Sequence, residues 1–420
     1  MGRVYCCIDL KSFFASVECV ERGLDPFKEN LVVADPDRGS GTICLAVSPA
    51  MKAAGVKNRC RVFEIPKNVR YITAKPRMKL YMEKSLQIYS VYLKFISPDD
   101  ILVYSIDECF IDLTDYVKLY GKTETELARL LVNAVYKETG IRAAAGVGTN
   151  MFLAKVALDI TAKHSADFMG YLDEEEFKKT IWRHRPITDV WNVGPGIAER
   201  LKRYGIYDLY GVAHCPEETL YREFGVNAEL LIDHSKGIEP CTIKDAHAYK
   251  SKTASLSNGQ VLFSDYSKKD ALVIIKEMTE GLIYEIIDKE LVTNSVSLSL
   301  GFADRTLAPR GGTTKLPVYT DSYKKIFPYF EKLFNKFAGE TDKIRRVNVG
   351  LNNLIHKDYV VYDLFADKEK DDKENALQKA IIGVKKKYGK NALLRGVSFE
   401  EKATARERNG MIGGHNGGET

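Results

Sequence analysis

Apolar and polar residues alternate along this chain in patterns that predict short buried strands separated by amphipathic helices. A strand is predicted at residues 3–9, and a short helix at 12–22 with Ser12 as its N-cap. Further along, the pattern predicts a helix from about Pro76 to Phe95, a strand-turn-strand at 101–112, a helix at about 123–138, a strand at 141–147 and a helix at about 150–163. The order strand, helix, strand, strand, helix, strand predicts a ferredoxin-like sheet, with residues 11–74 inserted after its first strand.

The second half of the chain repeats this order. Short helices are predicted from about residue 166 to 240, and the polar stretch 241–254 predicts a linker. The repeat covers residues 255–356, with strands near 295–302, 314–320 and 344–352 and helices at about 267–289 and 321–337. It is mildly basic, with 17 Lys and Arg against 13 Asp and Glu over residues 244–356. The tail after Lys357 is helix-prone at 367–388, and its Gly-rich end is predicted to be disordered.

Carboxylates interrupt two of the apolar strand patterns. Asp107 and Glu108 lie between Ile101-Leu102-Val103-Tyr104 and Phe110-Ile111, at the predicted tip of a hairpin, and Asp9 ends the first strand. Neighbouring anions repel each other, so apolar flanks favour a cation between them. Three carboxylates at strand ends predict an all-oxygen Mg²⁺ site, although an Asp-Glu pair taken alone is more often a solvated turn.

Composition narrows the class of protein. The chain has 420 residues, 45% hydrophobic and 28% charged, which predicts two to four domains. No apolar run approaches the length that spans a bilayer and no signal-peptide pattern starts the chain, so a cytoplasmic protein is expected. The eight cysteines include no C-x-x-C pair, which argues against a zinc site or a disulfide framework. A net charge of +5 permits a polyanionic partner without requiring one.

Two segments of the chain are Asp9-Leu10-Lys11-Ser12-Phe13-Phe14-Ala15-Ser16-Val17-Glu18 and Ser105-Ile106-Asp107-Glu108. Together they resemble motifs of the bacterial Y-family DNA polymerases, the translesion class of the UmuC and DinB types. The resemblance implies an α+β multidomain right-hand polymerase with a ferredoxin-like palm, small fingers, a helical thumb and a βαββαβ little finger. The implied domains are the palm at 1–11 and 75–165, fingers at 12–74, thumb at 166–240, linker at 241–254, little finger at 255–356 and tail at 357–420.

The same resemblance implies the catalytic residues. Asp9 and Asp107 bridge two Mg²⁺ ions, with Mn²⁺ as a substitute, and Glu108 binds the ion at the primer end. The Leu10 backbone carbonyl completes the site of the nucleotide-bound ion. Such an arrangement suits phosphoryl transfer, which needs one cation at the attacking oxygen and another at the leaving group.

Phe13 and Phe14 are implied to contact the incoming nucleotide. Phe14 matches the steric gate of the family, a ring that lies under the sugar and rejects a ribose by collision with its 2′ hydroxyl. An aromatic residue at this helical spacing is also typical of ordinary core packing. Lys11 departs from the carboxylate that many relatives carry there, at a position that metal binding does not require.

The fingers segment Ala46–Val56 resembles the family's triphosphate-binding motif. Lys52 falls where relatives carry an Arg or Lys on the triphosphate, and Ser48 replaces a more frequent polar residue as the second phosphate contact. Ile43 is expected over the templating base. A solvated face is the alternative for each polar residue here.

A third nucleotide-binding motif follows the last palm strand. Gly146 and Gly148 stand at a strand-to-helix junction, where glycines can cradle a phosphate, although a lone G-x-G is weak evidence. Lys163 resembles the lysine that clamps the triphosphate, but its spacing from Lys155 is one residue longer than in close relatives. A solvated lysine at a helix end is the alternative.

Two motifs suggest macromolecular partners. Val193, Gly194 and Gly196 resemble a helix-hairpin-helix, whose backbone N–H groups bind a DNA phosphate without reading sequence. The segment 361–365 resembles the sliding-clamp-binding motif of bacterial polymerases, with Val361, Leu364 and Phe365 as its clamp-binding residues. The alternatives are an ordinary helical turn for the first motif and a strand end for the second.

The expected function is low-fidelity, template-directed DNA synthesis past damaged bases, by a monomer that binds primer-template DNA, deoxynucleotides and the sliding clamp. The chain contains no recognisable exonuclease segment, so proofreading is not expected. A nucleotidyl or diguanylate cyclase also places paired carboxylates on such a palm, but lacks the helix-hairpin-helix and the second basic unit. A non-catalytic adaptor that docks on the clamp would not need the three carboxylates together with the steric gate.

Overall fold

The computed structural model describes residues 2–251, 254–359 and 368–418. The chain divides into two compact units, one of residues 1–249 with 416–420 and one of residues 250–415.

The first unit holds two sheets and a set of mostly short helices. Its strands are β1 (Tyr5–Leu10), β2 (Leu31–Val33), β3 (Ala46–Val47), β4 (Ile72–Ala74), β5 (Ile101–Val103), β6 (Glu108–Asp112), β7 (Ala143–Gly148) and β8 (Met169–Leu172). Its α-helices are α1 (Phe13–Val20), α2 (Pro49–Ala53), α3 (Met78–Tyr92), α4 (Thr114–Tyr120), α5 (Glu124–Thr139), α6 (Met151–Val156), α7 (Glu174–Thr180), α8 (Pro195–Lys202), α9 (Leu209–Ala213), α10 (Glu217–Phe224), α11 (Asn227–Ser235) and α12 (Ile243–Ala248).

The larger sheet is the predicted palm. Its strand order is β5-β6-β1-β7-β8, with β1 at the centre and antiparallel to both β6 and β7. The elements β1, α3, β5, β6, α5 and β7 reproduce the predicted strand-helix order, so the ferredoxin-like fold is confirmed. Burial explains the sequence of β1, since Tyr5, Cys6, Cys7 and Ile8 are each at most 1% exposed and a central strand covered on both faces requires apolar residues throughout.

Local signals set the ends of α5 as expected. Thr123 and Glu126 form a capping box at its start, and Gly140 ends it in the left-handed conformation. At α1 the prediction that Ser12 caps the helix is wrong. Ser12 stands at the N-cap position, but its φ of 49° is left-handed and its side chain makes no capping bond.

The insertion after β1 forms the predicted fingers region. Its strands make a three-stranded sheet of order β3-β2-β4, with β2 antiparallel to β3 and parallel to β4. Apolar residues including Val32, Cys44, Val47 and Met51 form a small core of its own.

Two predicted boundaries need correction. The thumb was placed from residue 166, but β8 pairs in parallel with β7 and is the fifth strand of the palm sheet. The linker was placed at 241–254, but Thr242 caps helix α12 and Ile243 is 2% exposed in the palm core. A single buried residue in a polar stretch leaves little periodic signal, which is why the sequence pattern missed this helix.

The second unit has four long strands and two long helices in the predicted order. These are β9 (Ala254–Tyr266), α13 (Lys268–Asp288), β10 (Leu291–Phe302), β11 (Arg310–Thr320), α14 (Tyr323–Phe337) and β12 (Ile344–His356). The sheet order is β11-β10-β12-β9, all antiparallel. The first strand therefore lies at an edge, whereas β1 lies at the centre of the palm, so the two units share an element order but not a sheet topology.

The C-terminal tail has α15 (Lys368–Tyr388), α16 (Ala405–Arg408) and the short strands β13 (Met411–Ile412) and β14 (His415–Asn416). The helix predicted at 367–388 is confirmed. The prediction of disorder at the Gly-rich end is wrong, because the short strands β13 and β14 lie within it. Just before it, the buried Glu277 carboxylate on α13 accepts bonds from the backbone N–H groups of Thr404 and Ala405, each at 3.0 Å. The predicted clamp motif at 361–365 lies outside the described residues.

Candidate active site

The pairing of β1 with β6 brings the three predicted carboxylates together. Asp9 lies opposite Glu108 in the antiparallel register, and the backbone N–H of Leu10 donates to the Asp107 carbonyl oxygen at 2.9 Å. Asp107 occupies the turn before β6, where the Ser105 hydroxyl donates to its carboxylate at 2.7 Å. Residues almost a hundred positions apart in sequence therefore meet at one end of the central strand.

Two lysines pair with these carboxylates. The Lys155 ammonium group lies 2.5 Å from Glu108, and the Lys163 ammonium group lies 3.1 Å from Asp9. Asp159 stands between the lysines, 3.0 Å from Lys155 and 2.8 Å from Lys163. The site is therefore a continuous network of alternating positive and negative charges.

The helix that carries these lysines changes form between them. After α6, residues Ala157–Thr161 form a π-helical segment and Ala162–His164 a 3₁₀ turn. A π-helical turn accommodates one extra residue within a helix, and such turns are frequent at functional sites. The extra residue between Lys155 and Lys163 is absorbed in this way, and Lys163 still reaches Asp9.

Charge and burial explain the protonation behaviour of the site. Burial raises the pKa of Asp9, the positive charge of Lys163 opposes that rise, and the charges of Asp107 and Glu108 add to it. Burial disfavours the charged form of Lys163, but the carboxylates of Asp9 and Asp159 outweigh it and raise its pKa. Asp9 is thus a half-buried carboxylate whose charged form is favoured by a nearby cation.

The donor set fits divalent metal ions of the hard, oxygen-binding kind. Carboxylate oxygens are the ligands that Mg²⁺ prefers, and the mutual repulsion of Asp9, Asp107 and Glu108 favours a cation among them. As placed, the described residues form no ready group of three metal-ligating His, Cys, Asp or Glu side chains. Lys155 and Lys163 supply the positive charge that metal ions would otherwise provide.

The side chain of Phe14 is partly exposed on α1, as a residue that contacts a ligand should be. Its ring stacks on Tyr81 with centroids 4.6 Å apart and planes 24° apart. The Tyr81 hydroxyl donates to Glu18 at 2.7 Å, and Arg77 donates to both oxygens of the same buried carboxylate. Phe14 therefore stacks on a ring whose hydroxyl is held by the buried Glu18 carboxylate, the partner of Arg77 in an ion pair. Phe13 is 2% exposed, so its side chain is core and argues against a ring contact with a nucleotide.

In the fingers, Lys52 and Ile43 remain available for a ligand. Ile43 is 48% exposed. Burial lowers the pKa of Lys52, the charge of Asp9 raises it, and the charge of Lys163 lowers it further. The Lys52 ammonium group therefore lies near the carboxylate site. Ser48 differs, because its hydroxyl is fully buried, donates to the Glu29 carbonyl at 2.7 Å and accepts the Leu31 and Met51 backbone N–H groups. These bonds argue against a direct phosphate contact by Ser48.

The glycines of the last palm motif serve packing. A Cβ atom on Gly146 would lie 2.1 Å from the Leu158 backbone nitrogen, and one on Gly148 would lie 2.4 Å from the Ala154 backbone nitrogen. Glycine lets the helix approach β7 closely at both positions, which replaces the phosphate-cradle interpretation.

The glycines of the predicted helix-hairpin-helix, in contrast, are not required for close packing. Gly194 is the N-cap of α8, and a Cβ atom on Gly194 or Gly196 would meet nothing within 4 Å. Neither glycine has a positive φ. Packing and backbone conformation therefore do not require glycine here, which is consistent with space kept free for an approaching partner. Val193 is 5% exposed and anchors the turn in the thumb core.

Sequence reasoning missed Lys11 and Asp159 as parts of the site. Asp159 is four residues from both Lys155 and Lys163, a spacing that places charged side chains together on a helix and was a usable signal. Lys11 had no such signal, because the position of its ammonium group depends on a contact with the ring of Phe168, which is distant in sequence. Burial lowers the pKa of Lys11, and the charges of Asp9, Lys52 and Lys163 act on it as well.

A ferredoxin-like palm whose central strand ends at three carboxylates beside lysines is the arrangement expected of a nucleotidyl-transfer site. The model of the impB/mucB/samB family matches residues 8–159, and the model of that family's C-terminal domain matches residues 253–364. The chain belongs to the impB/mucB/samB family, and the resemblance to bacterial Y-family translesion polymerases is confirmed.

Relatives match over nearly the whole chain. The UvrX protein of Bacillus subtilis, named for UV-damage repair, is 32% identical over 416 residues, which cover 97% of this chain and 96% of the relative. The protein named DNA polymerase IV 2 of Halalkalibacterium halodurans is 30% identical over 419 residues, covering 99% of this chain and 100% of the relative. The protein of the same name from Bacillus subtilis is 30% identical, with 97% of each chain covered.

A solved structure agrees on the fold. A Y-family DNA polymerase chimera of Dbh and Dpo4 superposes with a TM-score of 0.67 at 22% identity, covering 84% of this chain and 99% of the chimera. The predicted α+β multidomain polymerase fold is thereby confirmed. Among the described residues, no helix is long and apolar enough to cross a membrane.

Proposed function

We infer that this protein is a DNA-directed DNA polymerase of the translesion class, which extends a primer past damaged template bases. The observation that carries the inference is the meeting of Asp9, Asp107 and Glu108 at the end of the central palm strand, in a member of this family. The cyclase and the non-catalytic adaptor are not favoured, since the relatives that match along the whole chain carry polymerase and DNA-repair names.

We propose that the three carboxylates and the Leu10 carbonyl hold two Mg²⁺ ions, with Mn²⁺ as a substitute. Bound there, the ions would activate the primer 3′ oxygen and neutralise charge on the triphosphate. The carboxylates supply oxygen ligands on a rigid sheet, and the Leu10 N–H bond to the Asp107 carbonyl holds the turn in register.

The lysines are proposed to bind the nucleotide. Lys163 and Lys52 lie near Asp9, where a triphosphate bridging metal ions and lysines would exchange the Lys163–Asp9 pair for a Lys163–phosphate pair. The start of α1 also has free backbone donors by its geometry, because Ser12 provides no side-chain cap. Phe14 is proposed as the steric gate and Ile43 as the contact to the templating base.

The thumb and the second unit are each proposed to bind DNA. The turn at Val193, Gly194 and Gly196 offers backbone N–H groups to a phosphate, and the open space around both glycines supports that role. Contacts of this kind do not depend on sequence, as a polymerase requires. We propose that the protein works as a monomer in the cytoplasm.

We propose the sliding clamp as a partner through Val361, Leu364 and Phe365, because paired apolar residues that precede a polar tail in sequence are candidates for anchoring a partner. Replacing Leu364 and Phe365 together by Ala is expected to leave extension of a short template unchanged and to remove stimulation by the clamp on a long, clamp-loaded template. Loss of basal activity would make the pair structural. Full stimulation of the double variant would place the docking site elsewhere.

Primer extension tests the proposed function. A labelled primer on a longer template, with all four deoxynucleotides and Mg²⁺, is expected to grow one nucleotide at a time, also opposite an abasic position. Cyclic or linear dinucleotides formed from nucleoside triphosphates without a template would instead identify a cyclase. Template binding without either product would identify an adaptor.

A further inference from the structure

Lys11 has an unusual place in the charge network of the active site. Its backbone N–H donates to the Arg142 carbonyl at 2.9 Å, and its carbonyl accepts the Ser16 hydroxyl at 2.6 Å, so the chain is held on both sides of the residue. Its ammonium group lies 4.6 Å from the centre of the Phe168 ring, at the end of the turn that carries Lys163. The position of the Lys11 charge is therefore set by the fold.

No carboxylate among the residues that the structure describes forms an ion pair with Lys11, whereas Lys155 and Lys163 each have two. Lys11 is affected by the charge of Asp9, which favours its ammonium form, and by the repulsion of Lys52 and Lys163, which disfavours it. Ammonium groups that lie close together repel one another, and a polyanionic ligand that binds them relieves that repulsion.

A count of charges points to the same ligand. The network consists of four lysines and four carboxylates, namely Lys11, Lys52, Lys155, Lys163, Asp9, Asp107, Glu108 and Asp159. Two divalent cations and a nucleoside triphosphate, with roughly two negative charges on its terminal phosphate alone, bring opposite charges of similar size. The charges of this complex balance when Lys11 is counted, and opposite charges lie next to each other when the lysines face the phosphates and the carboxylates face the metal ions.

We propose that Lys11 binds the triphosphate of the incoming nucleotide, and the pyrophosphate that leaves after the reaction. This proposal rests on the proposed polymerase function and deepens it. Many relatives carry a carboxylate at this position, so the lysine of this chain raises the net charge of the site by two. Binding of the triphosphate gives that difference a role.

Lys11→Met tests the proposal, because Met keeps an apolar stem against Phe168 and removes the charge. In single-nucleotide incorporation at saturating Mg²⁺ and primer-template, the variant is expected to raise KM for the nucleotide about tenfold, with kcat changed much less. The constant for inhibition by inorganic pyrophosphate is expected to rise in parallel. Lys11→Arg should stay near the wild type, and Lys11→Asp should be worse than Lys11→Met.

The matched control is Lys94→Met, since the Lys94 ammonium group pairs with Glu138 at 2.6 Å and does not enter the site network. Unchanged KM and pyrophosphate inhibition in Lys11→Met would overturn the proposal. So would an Arg variant as defective as the Met variant, because charge would then not be the cause. Should Lys11→Asp fail to fold, the Met and Arg variants still decide.

Failure of the proposed function gives a different result. A wild-type protein that never extends a primer overturns the polymerase assignment, whatever Lys11 does. Equilibrium binding of inorganic pyrophosphate with Mg²⁺ to the wild type and to Lys11→Met then tests Lys11 separately, and equal affinities would overturn its assignment.

Discussion

Asp107→Ala is expected to reduce primer extension about a thousandfold or more while leaving affinity for primer-template nearly unchanged. Asp107 occupies the turn before β6, next to the paired Asp9 and Glu108, and the Ser105 hydroxyl donates to its carboxylate at 2.7 Å. Removing one of three metal-binding carboxylates weakens the charge stabilisation on which phosphoryl transfer depends. The thumb and the second unit, which are proposed to hold DNA, are not altered.

The measurement compares single-turnover extension with DNA binding by fluorescence anisotropy for the same preparation. Asp115→Ala, which removes an exposed carboxylate from the first turn of α4, is the matched control and should behave as the wild type. A variant at position 107 that keeps more than a few per cent of wild-type turnover would contradict the metal-binding assignment.

Much of the palm could be predicted from the sequence because its signals are local and periodic. The apolar run before Asp9 and the interrupted run around Asp107 both mark strand ends, and the order of strands and helices leaves few alternative sheets. The pairing of Asp9 with Glu108 then follows from the antiparallel register.

Features that depend on tertiary contacts could not be predicted in the same way. Ser48 has the sequence position of a phosphate ligand. In the folded structure, however, its hydroxyl accepts the backbone N–H groups of Leu31 in β2 and Met51 in α2. Gly146 and Gly148 resemble a phosphate loop, yet their function is the close packing of helix on strand. In both cases the sequence showed an unusual residue type, but it did not show which atoms that residue contacts in the folded protein.

At Lys155 and Lys163 the sequence spacing argued against a shared site, whereas the structure brings both lysines to the carboxylates. One extra residue in a regular α-helix would rotate Lys163 by about 100° away from its expected direction. The π-helical segment Ala157–Thr161 absorbs that residue, and Asp159 bonds both lysines. The longer spacing had weakened the prediction that Lys163 reaches the active site. The π-helical backbone compensates for it, and hydrophobic periodicity in the sequence does not reveal a π-helical segment.

Phe14→Ala is expected to raise the incorporation of ribonucleotides relative to deoxyribonucleotides by about a hundredfold or more. The Phe14 ring is held from behind by Tyr81, which is itself fixed by the Glu18–Arg77 ion pair, so the ring cannot easily give way to a 2′ hydroxyl. Truncation to Ala removes the obstacle without touching the carboxylates, and specificity based on steric exclusion is lost with it.

The measurement is the ratio of kcat/KM for a ribonucleotide to that for the matching deoxyribonucleotide, with the same template base. Phe14→Tyr keeps the ring and is the control, expected to retain the wild-type ratio. Because Phe14 also packs on Tyr81, thermal unfolding of each variant is measured alongside. An Ala variant that loses thermal stability while its ratio barely changes would assign Phe14 to core packing, and another residue would then have to exclude the ribose.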